Sequence, residues 1–144
     1  MPFGIIDMNK IKNRYKKLTD KEQAIKEDYI TNLYNLKKPH NKIFKANQEN
    51  KYLKYDCIDK GLKKYEIKSV NHNYMQFKGE YFGILKLGCC NEKGLRIIYH
   101  YLNDEIYYID YSATAFKNKW FKNSNKPGYI YIPVDALKNV NLPT

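Results

Sequence analysis

Apolar residues early in the chain recur at helical spacing: Ile25, Tyr29, Leu33 and Leu36 would share one face of a helix, with polar and charged residues between them. Thr19-Asp20-Lys21-Glu22 ahead of them has the form of a capping box, in which the Thr hydroxyl receives the Glu22 amide and the Glu carboxylate turns back to Thr19. Lys37-Lys38-Pro39 supplies the positive charge and the stop that suit a C-terminus, so the spacing predicts a helix running to about Leu36. From residue 42 the period shortens toward two. Short β-like runs follow at 42–45, 51–58, 62–70, 81–87, 95–102 and 106–111, with turn signals at Asp59-Lys60-Gly61, Asn91-Glu92-Lys93-Gly94 and Asn103-Asp104. The later runs predict a meander. Ser112 to Lys122, carrying Phe116, Trp120 and Phe121, predicts a second short helix, and Tyr129 to Val134 predicts a closing strand. This order predicts the α+β (α/β) class: an N-terminal helix packed on a central mixed β-sheet, with a second short helix and a closing strand.

The 144 residues suit one domain, 1–144, and neither an internal repeat nor a Gly/Ser/Pro linker divides them. Charge changes the picture more. Lys and Arg total 26 against 15 Asp and Glu, a net charge of +11 that favours a polyanionic partner such as DNA. Part of the lysine excess also follows from A/T-rich codons, which favour Lys, Asn, Tyr and Ile together. Residues 1–17 read as a basic arm; Lys16 and Lys17 there, with Lys117, Lys119 and Lys122 beside the second helix, are the candidate phosphate contacts. No apolar run is long enough to cross a bilayer, and MPFGIIDMNK lacks the pattern of a signal peptide, so an intracellular protein with no membrane partner is expected. Cys57, Cys89 and Cys90 have no C-x-x-C spacing and read as neutral thiols, while His40, His72 and His100 are too scattered for zinc and read as surface residues. Tyr99, Tyr101, Tyr107, Tyr108 and Tyr111 fit ordinary sheet packing better than base stacking.

The segment from Tyr55 to Ser69 carries the chemistry. In a strand alternate residues share a face, so Glu66 and Lys68 point one way while Tyr65 and Ile67 point into the core. A two-residue loop at Lys60-Gly61 would pair Asp56 with Tyr65 and separate the two acids. A three-residue loop, Asp59-Lys60-Gly61, with Gly61 in the left-handed region, pairs Ile58 with Leu62 and sets Asp56 opposite Lys64, on the face of Glu66. The turn chemistry selects this register, in which Asp56, Glu66 and Lys68 converge. Two neighbouring carboxylates repel, and a hard divalent cation, Mg²⁺ first, offsets that repulsion. Lys68 beside them can orient an attacking water or stabilise charge on a phosphate. Glu22 either completes this site or serves only its helix cap. Ser69 and Gln76 are candidate phosphate or water contacts, and His72 is a candidate auxiliary base.

Tyr55-Asp56, the Asp-Lys-Gly turn and Tyr65-Glu66-Ile67-Lys68-Ser69 together resemble the signature of the PD-(D/E)xK nuclease superfamily, a likeness that runs from Glu22 to about Ser69. The resemblance implies a restriction-endonuclease-like core of order α-β-β-β-α-β and a metal-dependent endodeoxyribonuclease. It implies Asp56 and Glu66 as ligands of Mg²⁺, with Mn²⁺ as the alternative, Lys68 as the residue that orients the nucleophile, and Glu22 as the acid on the preceding helix. Tyr129 to Val134 is similar to the closing strand of small members. A chain this short would need a homodimer to cut both strands. The rival readings are a non-catalytic basic DNA-binding or structural protein and an RNA-binding module that prefers single strands.

Overall fold

The computed structural model describes residues 18–46, 55–83, 87, 93–112, 122–123 and 126–141. Helix α1 (Asp20–Lys37) begins at the expected capping box: the Glu22 amide donates to Thr19 Oγ1 at 3.1 Å and the Thr19 amide donates to Glu22 Oε1 at 3.0 Å. The buried stripe of α1 is Lys26, Ile30 and Tyr34, and Tyr29 and Leu33 lie partly buried beside it. This corrects the predicted face, since Leu36 is 76% exposed. The stripe is rotated because Lys26 joins the interior, its four-carbon stem substituting for an apolar side chain.

Six strands form the main sheet in the order β1 (Ile43–Lys45), β2 (Cys57–Asp59), β3 (Lys64–Ser69), β5 (Leu95–His100), β6 (Ile106–Tyr111) and β9 (Lys138–Asn139). Neighbours are antiparallel except β3 and β5, which run parallel through six pairs from Lys64–Leu95 to Ser69–His100. A parallel pair needs a crossover, and the chain between them carries β4 (Gly79–Gly83) onto a second, antiparallel sheet of order β4, β8 (Tyr129–Pro133), β7 (Lys122–Asn123). Two expectations are corrected here. The runs after residue 81 do not form a meander, because β4 leaves the main sheet. Tyr129 to Pro133 does not close the main sheet; a short 3-10 turn at Val134–Ala136 leads instead to β9, which pairs with β6. The predicted second helix lies largely outside the described residues, and its last residue, Lys122, belongs to β7.

The main sheet is the middle of three layers. On one face Ile30 and Tyr34 of α1 pack on Tyr65, Ile67, Ile98 and Tyr108; on the other, Phe82, Ile130 and Ile132 of the second sheet pack on Ile97, Tyr99 and Ile109. Covered on both sides, β5 buries all six of its residues, which is why LRIIYH shows so little polar alternation. Arg96 is tolerated there because Asp110 takes two of its N–H groups and the Tyr34 hydroxyl a third, at 2.8–3.0 Å. The edge strand β1 is tied to the helix by Asn35, whose amide donates to the Ile43 carbonyl and accepts from the Ile43 N–H, both at 2.9 Å.

Candidate functional site

The hairpin register sets where each acid stands. Cys57 pairs with Tyr65 and Ile58 with Lys64, and the Asp59 and Lys63 backbones close a loop of three residues, 60–62. The predicted loop length is right but its position is one residue too early, and Leu62 (φ 69°), not Gly61, takes the left-handed conformation. Asp59 causes the shift: its Oδ1 accepts the Lys63 amide at 3.0 Å and its Oδ2 the Tyr65 hydroxyl at 2.7 Å, so it belongs to the ladder rather than to the turn. Moving the loop by one moves the pairing by two, which preserves parity. The paired register ends at Cys57–Tyr65, and the Asp56 amide also turns to the Tyr65 carbonyl, so Asp56 reaches β3 from just outside the ladder and not from a position opposite Lys64.

Asp56 stands just ahead of β2 and is held on three sides. Its N–H donates to the Tyr65 carbonyl at 2.9 Å, its carbonyl accepts from Ala46 at 3.0 Å, and its Oδ2 accepts the Ile67 amide at 2.8 Å. The carboxylate therefore replaces the strand neighbour that β3 lacks at Ile67. Glu66, 3% exposed, and Lys68 share the opposite face of β3 from Tyr65 and Ile67, as the alternation predicts. Lys68 Nζ lies 3.9 Å from Glu66 Oε1 and 5.6 Å from the centre of the Phe82 ring, so a second-sheet side chain supports the ammonium.

The acid that α1 contributes is Glu27. Burial first, then its hydrogen bond to Asp56 and the negative charges of Asp56 and Glu66, push its carboxyl up from 4.5 to about 8, against a smaller opposing effect of Lys45. Glu27 thus keeps its proton at neutral pH, beside Asp56. Glu22, the helix acid the resemblance implies, is engaged in the capping box five residues earlier. A capping Glu is turned toward its own helix end, so the next acids along, Glu27 and Asp28, were the legible alternatives; Asp28 instead faces Lys45 at 3.8 Å. The donors so gathered are hard carboxylate oxygens with a lysine beside them, a set whose chemistry suits Mg²⁺. Among the described residues no group of three or more His, Cys, Asp or Glu side chains is placed to hold a metal ion.

The other candidates fall elsewhere. Ser69 is buried and bonds His100 Nδ1 at 3.1 Å, and Gln76 accepts the Asn73 amide in an exposed turn. His100 is not a surface residue: it is 1% exposed, its Nε2 lies 2.8 Å from Asp104 Oδ1, and Asp104 Oδ2 accepts the Tyr29 hydroxyl at 2.6 Å, a chain that ties the β5–β6 loop to α1. His72 is half-buried against Glu80, at 2.9 Å. Cys57 faces Thr31, and burial pushes its thiol up to about 12, which leaves it neutral and inert. Lys16, Lys17, Lys117 and Lys119 lie outside the described residues, as do Cys89 and Cys90, and of Lys122 only the backbone position in β7 is described. No helix among the described residues is long and apolar enough to cross a membrane. Comparison with known proteins finds no match, whether to a family model, a curated protein or a solved structure.

Proposed function

We propose that this protein is a metal-dependent deoxyribonuclease of the PD-(D/E)xK type, with Asp56, Glu66 and Lys68 at its centre and Glu27 as the helix acid. The observation that carries the reading is the hydrogen bond of Glu27 on α1 to Asp56 at the start of the hairpin, with the Glu66–Lys68 pair on its second strand near enough for the Glu66 charge to act on Glu27. The order of elements supports it: α1, three antiparallel strands, then a strand parallel to the third, the sequence of elements the resemblance implies up to its crossover. The crossover departs from that pattern by adding β4 and the second sheet.

Asp56 and Glu66 would hold Mg²⁺, or Mn²⁺ in its place, which would supply positive charge for the scissile phosphate and acidify a water. Lys68 orients that water and donates to the charge that develops on the phosphoryl oxygens as the new O–P bond forms and the ester bond breaks. Asp56 has a second task, holding β3 through the Ile67 amide, so its carboxylate is fixed before substrate arrives. The partner in this reading is duplex DNA, drawn by the +11 charge, and cleavage of both strands takes a second copy of the chain.

Supercoiled plasmid tests the reading. Nicking is expected with Mg²⁺ and not with EDTA, falling on the order of 100-fold in Asp56→Asn, Glu66→Gln and Lys68→Ala. Circular dichroism checks that each variant is folded. Unchanged cleavage in all three would refute the site.

A further inference from the structure

Beyond the acidic site, the outer side of β4 carries a second set of groups. Tyr81 is adjacent to Phe82, and since strand neighbours point to opposite sides, the strand that buries Phe82 beneath Lys68 turns Tyr81 outward. Tyr81 and its cross-strand partner Tyr131 meet edge to face at 5.6 Å and form one wall of a cavity of about 430 Å³. This lies within the usual 300–1,000 Å³ or so of small-molecule sites. Phe77, held edge-on to His72 at 4.8 Å, also lines the cavity. Phe77 is 55% and Tyr81 49% exposed, an unusual outlay of aromatic surface for residues with no role in the core. Gly79 gives the wall its shape, because a Cβ there would stand 2.3 Å from Tyr131 Cζ and 2.7 Å from the Ile132 carbonyl oxygen.

The charges are sorted by position. Glu80 turns inward with Phe82, buried and bonded to His72 and to the Tyr101 hydroxyl at 2.8–3.0 Å, so its charge is held behind the aromatic wall. Lys78 stands in its lining and is exposed, and Lys126 lies beside it with Nζ 4.3 Å from the Tyr129 ring centre and 5.6 Å from that of Tyr81. A planar, uncharged ring meets aromatic faces in this cavity, while the lysines receive the phosphates to which it is linked.

We propose that this cavity binds an unpaired nucleobase of single-stranded DNA, with Tyr81, Tyr131 and Phe77 as stacking surfaces and Lys78 and Lys126 as phosphate contacts. In a duplex both faces of each base are already covered, so the occupant must come from a single strand, a gap or a flap. This deepens the nuclease reading by naming a substrate feature, and it rests on that reading for DNA as the partner; its binding groups are separate from the acids that would cleave.

The test measures binding without cleavage. Fluorescence anisotropy in EDTA compares a labelled oligodeoxycytidylate of about 12 nucleotides, within the span such grooves cover, with an abasic strand of equal charge and with a duplex. The cytidylate is expected to bind most tightly. Tyr81→Ala and Phe77→Ala should each weaken it roughly 5- to 100-fold and leave the abasic strand nearly unchanged, whereas Lys78→Ala should weaken both strands alike. Tyr81→Leu and Phe77→Leu keep the apolar bulk and remove the ring, and should lose the same preference if either alanine variant unfolds. Equal binding of cytidylate and abasic strand, tighter binding of duplex, or aromatic variants that bind as wild type would overturn the proposal. Base-dependent binding by a protein that never nicks plasmid would support it and refute the nuclease reading alone.

Discussion

Replacing Glu27 by Gln should flatten the dependence of stability on pH. In the folded protein Glu27 keeps its proton up to a pH of about 8, whereas in the unfolded chain it releases it near 4.5. Between those values the folded state binds more protons than the unfolded one, so stability falls as pH rises through the window. Each tenfold change in proton affinity is worth about 1.4 kcal/mol, which sets an upper limit of about 5 kcal/mol on the loss. Glu27 remains partly in contact with solvent, and screening brings the expected loss to about 1–2 kcal/mol. Gln at 27 stays neutral at every pH and retains a donor for Asp56. The variant should match wild type near pH 4 and exceed its stability by about 1–2 kcal/mol at pH 8.5, measured by urea unfolding followed through circular dichroism. Mg²⁺ should stabilise wild type above pH 7 and stabilise Glu27→Gln less, since a cation held by these acids competes with the Glu27 proton. Parallel pH profiles for the two proteins would show that the Glu27–Asp56 contact does not set the proton affinity and would refute the argument.

The Asp56 carboxylate accepts the Ile67 amide, so Asp56→Ala should cost about 1–3 kcal/mol in urea unfolding while Asp56→Asn, which keeps an acceptor, costs less than 1 kcal/mol or so; equal losses would mean the bond is not formed. Leu62 holds a left-handed backbone on an exposed turn, and Leu62→Gly should raise stability by about 0.5–1 kcal/mol through relief of that strain; a lowered Tm would place the loop elsewhere. Ile67→Asp puts a charge between the sheet and α1 and should leave the protein unfolded or aggregated by circular dichroism and gel filtration; a folded, soluble variant would invert the facing of β3.

Local rules in the chain were enough for α1, its capping box, the strand content and the alternation of Glu66 and Lys68 against Tyr65 and Ile67, because each depends on residues within a few positions of one another. The hairpin too was legible, with its loop displaced by one residue; the bonds of Asp56 to the Tyr65 carbonyl and the Ile67 amide, by which it joins β3 outside the ladder, were not. Other features depended on contacts far apart in sequence. The capping box sets Glu22 apart, but nothing near Glu27 distinguishes it from Asp28; its role arises where α1, tied to β1 by Asn35 and seated by the buried Lys26, meets Asp56. The same holds for β4, whose alternation reads as one more strand of the main sheet. Its partner is β8, more than 40 residues away, and only that pairing exposes Tyr81 and encloses Glu80. Backbone hydrogen bonding makes a strand from local sequence, but its neighbours are chosen by which apolar faces can be covered at once. In this protein that choice, made in three dimensions, decides which acids meet.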